Sequence, residues 1–308
     1  MTQSTAPLRI GSRGSPLALV QTRAVRARLA GALGVAEEAI EIVVIRTSGD
    51  VIEDRPLAEL GGKGLFTKEI EEALIAGRID LAVHSAKDMP TVSQSGLMLA
   101  ACLEREDPRD VFISGKADSL AALPQGASLG TASLRRLAIA RRVRPDLRVV
   151  PLRGNVETRL RKLDAGDADA TILALAGLKR LGLTRHATRI MSTQEFLPAA
   201  GQGAIGIEAR ADDTRMRELL TRVDHPDTSA AVACERAFLA ELDGSCKTPI
   251  GGHATIAGGA LQFRGLIIKP DGSAAHETAV AGARADATRI GAEAGRTLRQ
   301  SAGPGFFG

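Results

Sequence analysis

Along the first 220 residues, short apolar runs alternate with segments of helical periodicity. Leu8–Ile10 is apolar and is followed by Gly11-Ser12-Arg13-Gly14. Ser15-Pro16 then supplies a helix N-cap with Pro at the first helical position, and apolar residues recur at Leu17, Val20, Ala24 and Leu29. Ile42-Val43-Val44-Ile45 has the β-branched character of a buried parallel strand. Lys68–Ile75 is predicted as a helix stopped by Gly77, and 79–83 and 97–102 as strands. The alternation then restarts. Residues 110–113, 128–130 and 147–150 are predicted as strands, and 134–143, 156–163 and 175–181 as helices. Strand alternating with helix implies βαβ units and a mainly parallel sheet. Residues 203–209 form one more strand candidate, followed by helices near 213–222 and 228–242. From there the pattern changes. Residues 254–256, 261–268 and 276–281 are strands separated by Gly-Gly and Pro-Asp-Gly turns, an antiparallel meander closed by a helix at 287–298. Three units follow: 1–104 plus 203–222, 105–202, and 223–308, the last a small α+β unit. A chain of 308 residues accommodates them on a prior of about 100–200 residues per domain.

Composition narrows the function classes. Hydrophobic residues make up 44%, enough for a sizeable core. The longest apolar run, Ala170 to Leu178, is far short of the roughly 20 residues that span a bilayer. The polar stretch from Met1 to Pro7 lacks the apolar core of a signal peptide, so a cytoplasmic protein away from membranes is expected. There are no Trp or Tyr and 7 Phe, which leaves almost no stacking platforms for nucleic acid. Cys102, Cys234 and Cys246 form neither a CxxC pair nor a zinc spacing, so no metal is expected. Cys102 and Cys234 sit in apolar segments and belong to the core, whereas Cys246 lies in a loop near Lys247, where a thiol can be reactive. The net charge is only +4, but 32 of the 40 basic residues are Arg, the better fork for carboxylates and phosphates.

The chemistry-bearing residues cluster at strand ends. His84-Ser85-Ala86-Lys87-Asp88 follows a predicted strand, at the edge where open α/β sheets bind ligands. Asp88 there suits acid–base work or the pairing of a developing cation, although a solvated Lys–Asp turn has the same pattern. Thr131-Ala132-Ser133-Leu134-Arg135-Arg136 opens a helix, where backbone N–H groups, a Ser cap and two guanidiniums hold an anion. Arg153-Gly154-Asn155 repeats the arrangement, with Arg159 on the same helical face as Asn155, and Arg13 with Ser15 does likewise earlier. Arg141, Arg142 and Arg144 fit surface decoration. Gly201-Gln202-Gly203-Ala204-Ile205-Gly206 matches a dinucleotide fingerprint, but Pro198 precedes it and a strand follows it, so a crossover between domains is the better account. Gly61-Gly62-Lys63-Gly64 lacks the phosphate-loop frame and suits a mobile flap.

Seven stretches, taken together, resemble the porphobilinogen deaminase (hydroxymethylbilane synthase) family in its own order: Gly61-Gly62-Lys63-Gly64-Leu65-Phe66, His84 to Asp88, Glu104-Arg105-Glu106-Asp107-Pro108-Arg109-Asp110, Ser133 to Arg136, Leu152 to Asn155, Ala176-Gly177-Leu178-Lys179-Arg180-Leu181-Gly182, and Gly201 to Ala204. The resemblance implies two periplasmic-binding-protein-like α/β domains with a hinged cleft, plus a C-terminal α+β domain with an antiparallel three-stranded sheet. It implies a transferase of haem and porphyrin biosynthesis, acting as a monomer. Four porphobilinogen molecules are joined head to tail with loss of ammonia, and hydrolysis then releases hydroxymethylbilane. The implied cofactor is a dipyrromethane held by a thioether, here at Cys246. By the same match, Asp88 is the catalytic carboxylate. Arg13, Ser15, Ser85, Lys87, Thr131, Ser133, Arg135, Arg136, Arg153, Gly154, Asn155, Arg159 and Gln202 bind cofactor or substrate, and Lys63 and Phe66 belong to the flap. Two positions depart from the family's pattern: Ser245 replaces a second Gly before the cysteine, and Ala132 stands where Ser is frequent. The rival readings are a non-catalytic binder of organic anions, with no use for Cys246, and a basic RNA-binding protein, suggested by a sequence pI of about 9.2.

Overall fold

A computed structural model describes residues 7–51, 64–244, 248–303 and 305–306. The chain opens with β1 (Leu8–Ser12), α1 (Pro16–Leu33), β2 (Ile40–Val44), the short α2 (Ser48–Val51), α3 (Lys68–Ile75), β3 (Leu81–Ser85) and β4 (Leu97–Cys102). It crosses to a second lobe made of β5 (Asp110–Ser114), β6 (Ser128–Gly130), α4 (Leu134–Val143), β7 (Arg148–Val150), α5 (Val156–Asp164), β8 (Ala170–Ala174), α6 (Leu175–Arg180) and β9 (Arg189–Ile190). It returns as β10 (Ile205–Arg210) and α7 (Thr214–Thr221), then enters a third unit of α8 (Pro226–Glu241), β11 (Ile250–Ala257), β12 (Ala260–Ile268), β13 (Ala275–Ala283) and α9 (Ala287–Ala302). The sheet orders are β2-β1-β3-β10-β4, β7-β6-β8-β5-β9 and β11-β12-β13.

The two large sheets are mixed rather than mainly parallel. In the first, β1 runs parallel to β2 and β3, but β10 runs antiparallel to β3 and β4. In the second, β6 runs parallel to β7 and β8, but β5 runs antiparallel to β8 and β9. In both cases the reversed strand is the first one after a crossover. Alternation of strand and helix carries no information on a strand that enters a sheet from the neighbouring lobe. The apolar run from Ala170 to Leu178 divides at Ala174 into a strand and a helix, which its uniform hydrophobicity conceals.

Local chemistry explains the element starts. Ser15 Oγ accepts from Ala18 N at 3.3 Å ahead of Pro16, and Ser133 and Asn155 cap α4 and α5 in the same way. The first sheet packs one face on α1 and α7 through Val25, Leu29, Ile207, Met216 and Leu220, and the other on α3 through Ile70 and Leu74. In the third unit, Phe238 and Phe263 stack at 4.9 Å. Helix α9 lies against α8 because Gly291 and Gly295 leave room for the backbone oxygens of Cys234 and Phe238, which a Cβ would meet at 2.0 and 2.8 Å. Leu266 and Ile268 of β12 enter the core of the second lobe beside Phe112 and Ile139. No helix among the described residues is long and apolar enough to cross a membrane.

One buried carboxylate ties both interlobe crossovers to the third unit. Glu235 of α8 accepts from Arg105 Nη1 at 2.6 Å and Nη2 at 3.2 Å, from Gly201 N at 2.6 Å and from Ala254 N at 2.7 Å. Arg105 belongs to the outgoing crossover, Gly201 to the returning one and Ala254 to β11. Arg105 Nε also donates to Gln202 O at 2.8 Å. Removing one member of such a pair leaves a buried charge uncompensated, at a cost of about 3–5 kcal/mol. Glu235→Ala is therefore expected to lower the thermal midpoint by several degrees, with Glu235→Gln between it and the parent, as measured by calorimetry. A midpoint unchanged in Glu235→Ala would remove this carboxylate from its structural role.

Candidate active site

The cleft is built where β3 ends and where α4 and α5 begin. Beyond Ser85, residues Ala86–Asp88 form a single 3-10 turn that presents Lys87 and Asp88. The crossover Gly201–Gly203 packs directly on this turn. A Cβ on Gly201 would meet Lys87 N at 2.8 Å, one on Gly203 would meet Glu106 O at 2.3 Å, and both glycines have positive φ. The fingerprint-like stretch is thus a close-packed crossover leading into β10.

Across the cleft stand Arg136, Arg153 and Arg159. Lys87 lies close enough to Asp88, Arg136, Asp110 and Arg159 for their charges to act on it. Burial pulls its ammonium below the ordinary value, Asp88 opposes that, and Arg136 adds to it. Arg159 is brought down to about 10, by burial first and by Arg136 second, with Asp88 opposing. Its Nε donates to Gly154 O at 2.8 Å, which aims the guanidinium. Arg153 Nη1 is buried with no hydrogen-bond partner. Asp88 is half-buried, and no described side chain donates a hydrogen bond to it. Four cations therefore share this space with one free carboxylate, since the other nearby acid, Asp110, is already engaged.

Asp110 organises the second lobe's side of the cleft. Fully buried at the start of β5, it accepts from Arg135 Nη2 at 2.7 Å and from Arg136 Nε and Nη2 at 3.1 and 2.8 Å. Gln202 Nε2 donates to it at 3.1 Å and to Pro108 O at 2.6 Å. Burial alone would raise this carboxyl, but the two guanidiniums hold it at about 2. Arg135 and Gln202, which the resemblance places on cofactor or substrate, both engage Asp110. Arg135 gives Nη1 to Leu197 O at 2.6 Å while its buried Nε has no partner among the described residues, and both side chains are buried against Asp110. Two donor-rich side chains beside a buried aspartate satisfy it before any ligand arrives. The residue itself carries a signal in the sequence, an acid opening the apolar strand Asp110-Val111-Phe112-Ile113. Glu235 carries another, an acid on the apolar face of α8 between Ala231 and Phe238.

The remaining expected residues divide by role. Thr131 Oγ1 accepts from Ser133 N at 3.1 Å, Ser133 Oγ from Arg136 N at 3.4 Å and Asn155 Oδ1 from Thr158 N at 2.8 Å, so these groups shape the openings of α4 and α5. Ser85 exchanges hydrogen bonds with the Gln21 amide at 2.9 and 3.1 Å. The Arg13 guanidinium lies 4.2 Å over the Phe66 ring. Lys63, Ser245 and Cys246 lie outside the described residues. The chain leading toward Cys246 is described as far as Gly244, whose carbonyl accepts from Thr91 Oγ1 at 2.8 Å, three residues beyond Asp88. The Cys102 and Cys234 thiols are buried and pushed up to about 12 by that burial.

Fold and site define a two-lobed α/β protein with a cationic interlobe cleft facing one unpaired aspartate. Residues 8–218 match the model of "Porphobilinogen deaminase, dipyromethane cofactor binding domain", and residues 229–300 match that of the porphobilinogen deaminase C-terminal domain. The chain belongs to the porphobilinogen deaminase family. The porphobilinogen deaminases of Nitrobacter winogradskyi and Nitrobacter hamburgensis are each 61% identical over 298 residues, covering 97% of this chain and 94% of theirs. A solved structure, the periplasmic VFT2 domain of Bordetella pertussis BvgS, is similar at 16% identity and a TM-score of 0.43, over 71% of this chain and 87% of its own.

Asp110 gives a pH signature. Its folded-state value lies below the ordinary carboxylate value of about 3.9, so its contribution to stability is complete above about pH 4 and is lost as pH falls through about 2. Asp110→Asn is expected to lower the thermal midpoint at neutral pH. The gap to the parent should narrow between pH 4 and 2. A gap constant with pH would show that the aspartate's charge is not what stabilises the seam.

Proposed function

We propose that this chain catalyses the stepwise head-to-tail condensation of four porphobilinogen molecules, with release of ammonia at each step, and hydrolyses the product to hydroxymethylbilane for tetrapyrrole biosynthesis. The observation that carries this reading is the surplus of cations around Asp88. Porphobilinogen bears an acetate and a propionate. Arg13, Lys87, Arg136, Arg153 and Arg159 can pair with such groups by charge-assisted hydrogen bonds, and the openings of α4 and α5, shaped by Thr131, Ser133, Gly154 and Asn155, add backbone N–H donors. Arg135 and Gln202 act behind them, through Asp110, and Ser15 and Ser85 support the turns that carry Arg13 and Lys87. Lys63 and Phe66 belong to a flap over the cleft.

The donor set suits a covalently held polycarboxylate as well. Arg153 Nη1 is a buried donor lacking an acceptor among the described residues, and with Arg136 engaged by Asp110, Lys87, Arg153 and Arg159 share only Asp88. In this reading Cys246 holds the dipyrromethane, and the arginines named above hold its carboxylates. When bound, that group supplies the pyrrole carbon on which the chain is built. The protein's work is done at Asp88. As the aminomethyl C–N bond of porphobilinogen breaks and ammonia departs, positive charge spreads over the pyrrole to its N–H. The Asp88 carboxylate accepts from that N–H and stabilises the charge. When the new C–C bond forms, the α-hydrogen of the attacking ring leaves as a proton, for which Asp88 is the acceptor. We take residues 1–104 plus 203–222, 105–202 and 223–308 as the three domains. We also take the protein as a cytoplasmic monomer, as the family resemblance implies.

Intact mass of the purified protein tests this directly. An excess of two linked pyrrole units, absent from Cys246→Ser, is expected, with further even increments on adding porphobilinogen. A mass that stays at the bare chain after incubation with porphobilinogen would favour a non-catalytic binder of organic anions. Asp88→Asn is expected to keep the mass excess and lose turnover by about 10²–10³-fold. Normal steady-state activity in that variant would remove Asp88 from the chemistry.

A further inference from the structure

Three ionisable side chains are buried together beneath the turn that carries Asp88. On β3, Leu81 and Val83 face the α1 and α7 core, so His84 faces the opposite side, toward α3. On β10, Ile207 and Ala209 face α1 and α7, so Glu208 also faces α3. Register pairs His84 with Gly206, which places Glu208 diagonally across from it. His84 Nε2 lies 3.5 Å from Glu208 Oε2. Glu71 comes from the first turn of α3, close enough for Glu208 and His84 to act on it. The three residues are 5%, 1% and 5% exposed for His84, Glu208 and Glu71 respectively. Among the described residues, His84 Nε2, both Glu208 oxygens and Glu71 Oε1 have no hydrogen-bond partner, and the His84–Glu208 approach is the nearest polar contact of that pair.

Among the described residues, neighbouring cations do not neutralise the group. Arg210, on the same face of β10, donates to Leu74 O and Ile79 O and pairs with Asp213. Arg236 of α8 feels the charge of Glu208, but its own hydrogen bond goes to Ser93. Burial raises the Glu71 carboxyl above its ordinary range, the Thr67 hydroxyl opposes that, and the charge of Glu208 adds to it. Buried polar groups persist in proteins when they are paired. The pairing open to His84 is donation from Nε2–H to Glu208.

We propose that His84 is a positioning residue for Asp88, acting through a buried clasp to Glu208 that Glu71 completes. The clasp sits where β3 passes into the active turn and β10 leaves the crossover. Immediately beyond it, Ser85 pairs with Ile205, and Ala86 N donates to Ala204 O at 3.0 Å. Locking β3 to β10 at His84 fixes how far Lys87 and Asp88 project from Gly201–Gly203. The inference rests on the function proposed above for Asp88.

The test combines kinetics with a readout independent of turnover. His84→Leu removes the donor, and kcat is expected to fall roughly 10- to 100-fold with KM nearly constant and the mass excess retained. His84→Gln, whose amide nitrogen can stand in for Nε2, is expected to recover most of that loss. Nitrogen-15 NMR of histidine-labelled protein is expected to show His84 protonated at Nε2, with the signal displaced in Glu208→Gln. Full kcat in a folded His84→Leu would overturn the proposal, as would an Nδ1–H tautomer indifferent to Glu208→Gln. The NMR arm stands when the parent shows no turnover of porphobilinogen, a result that would count against the proposed reaction instead.

Discussion

The Glu235 carboxylate sets the geometry on which everything else rests. Its two oxygens take four donors drawn from the outgoing crossover, the returning crossover and β11. A carboxylate away from water needs such a complete set of partners, because each missing donor would leave charge in a low-dielectric interior. The two connecting segments are therefore pinned to the third unit at one point, with Gly201 pressed against the Lys87 peptide and Gly203 against Glu106. The Thr91–Gly244 hydrogen bond ties the end of α8 to the same side of the cleft.

Electrostatics then separates two jobs that look alike in composition. Asp110 neutralises Arg135 and part of Arg136 within the protein, and Gln202 donates to the same oxygen that Arg136 holds. Arg153, Arg159 and Lys87 are left without a carboxylate of their own, and burial lowers the last two. A site with surplus positive charge and little water is costly until an anion enters, so part of the stability of the loaded protein comes from its ligand. Asp88, accepting nothing from described side chains, keeps its charge available for a cation that exists only during reaction.

Much of this was legible in the residues. Ser15-Pro16, Ser133 and Asn155 fix helix starts through chemistry confined to four residues, and the structure has α1, α4 and α5 beginning there. The β-branched run at 42–45 and the Gly258-Gly259 turn also act locally. The family's motifs, spread from Gly61 to Ala204, identified the family because they stand in its fixed order. The loop cysteine and Lys63 were likewise singled out, although neither is among the described residues.

What the sequence determined, then, is whatever depends on a residue and its near neighbours: caps, turns, buried strands, arginines at helix openings and an aspartate after a strand. Tertiary structure decided the direction of β5 and β10, because a strand entering from another lobe leaves no periodic trace. It decided that Arg135 and Gln202 serve Asp110 while Arg159 faces Asp88, since adjacent guanidiniums differ only in what packs beside them. It also decided the partners of Glu235 and His84. A buried charge is stabilised by donors more than a hundred residues away in sequence, and only the folded chain brings those donors within hydrogen-bond reach.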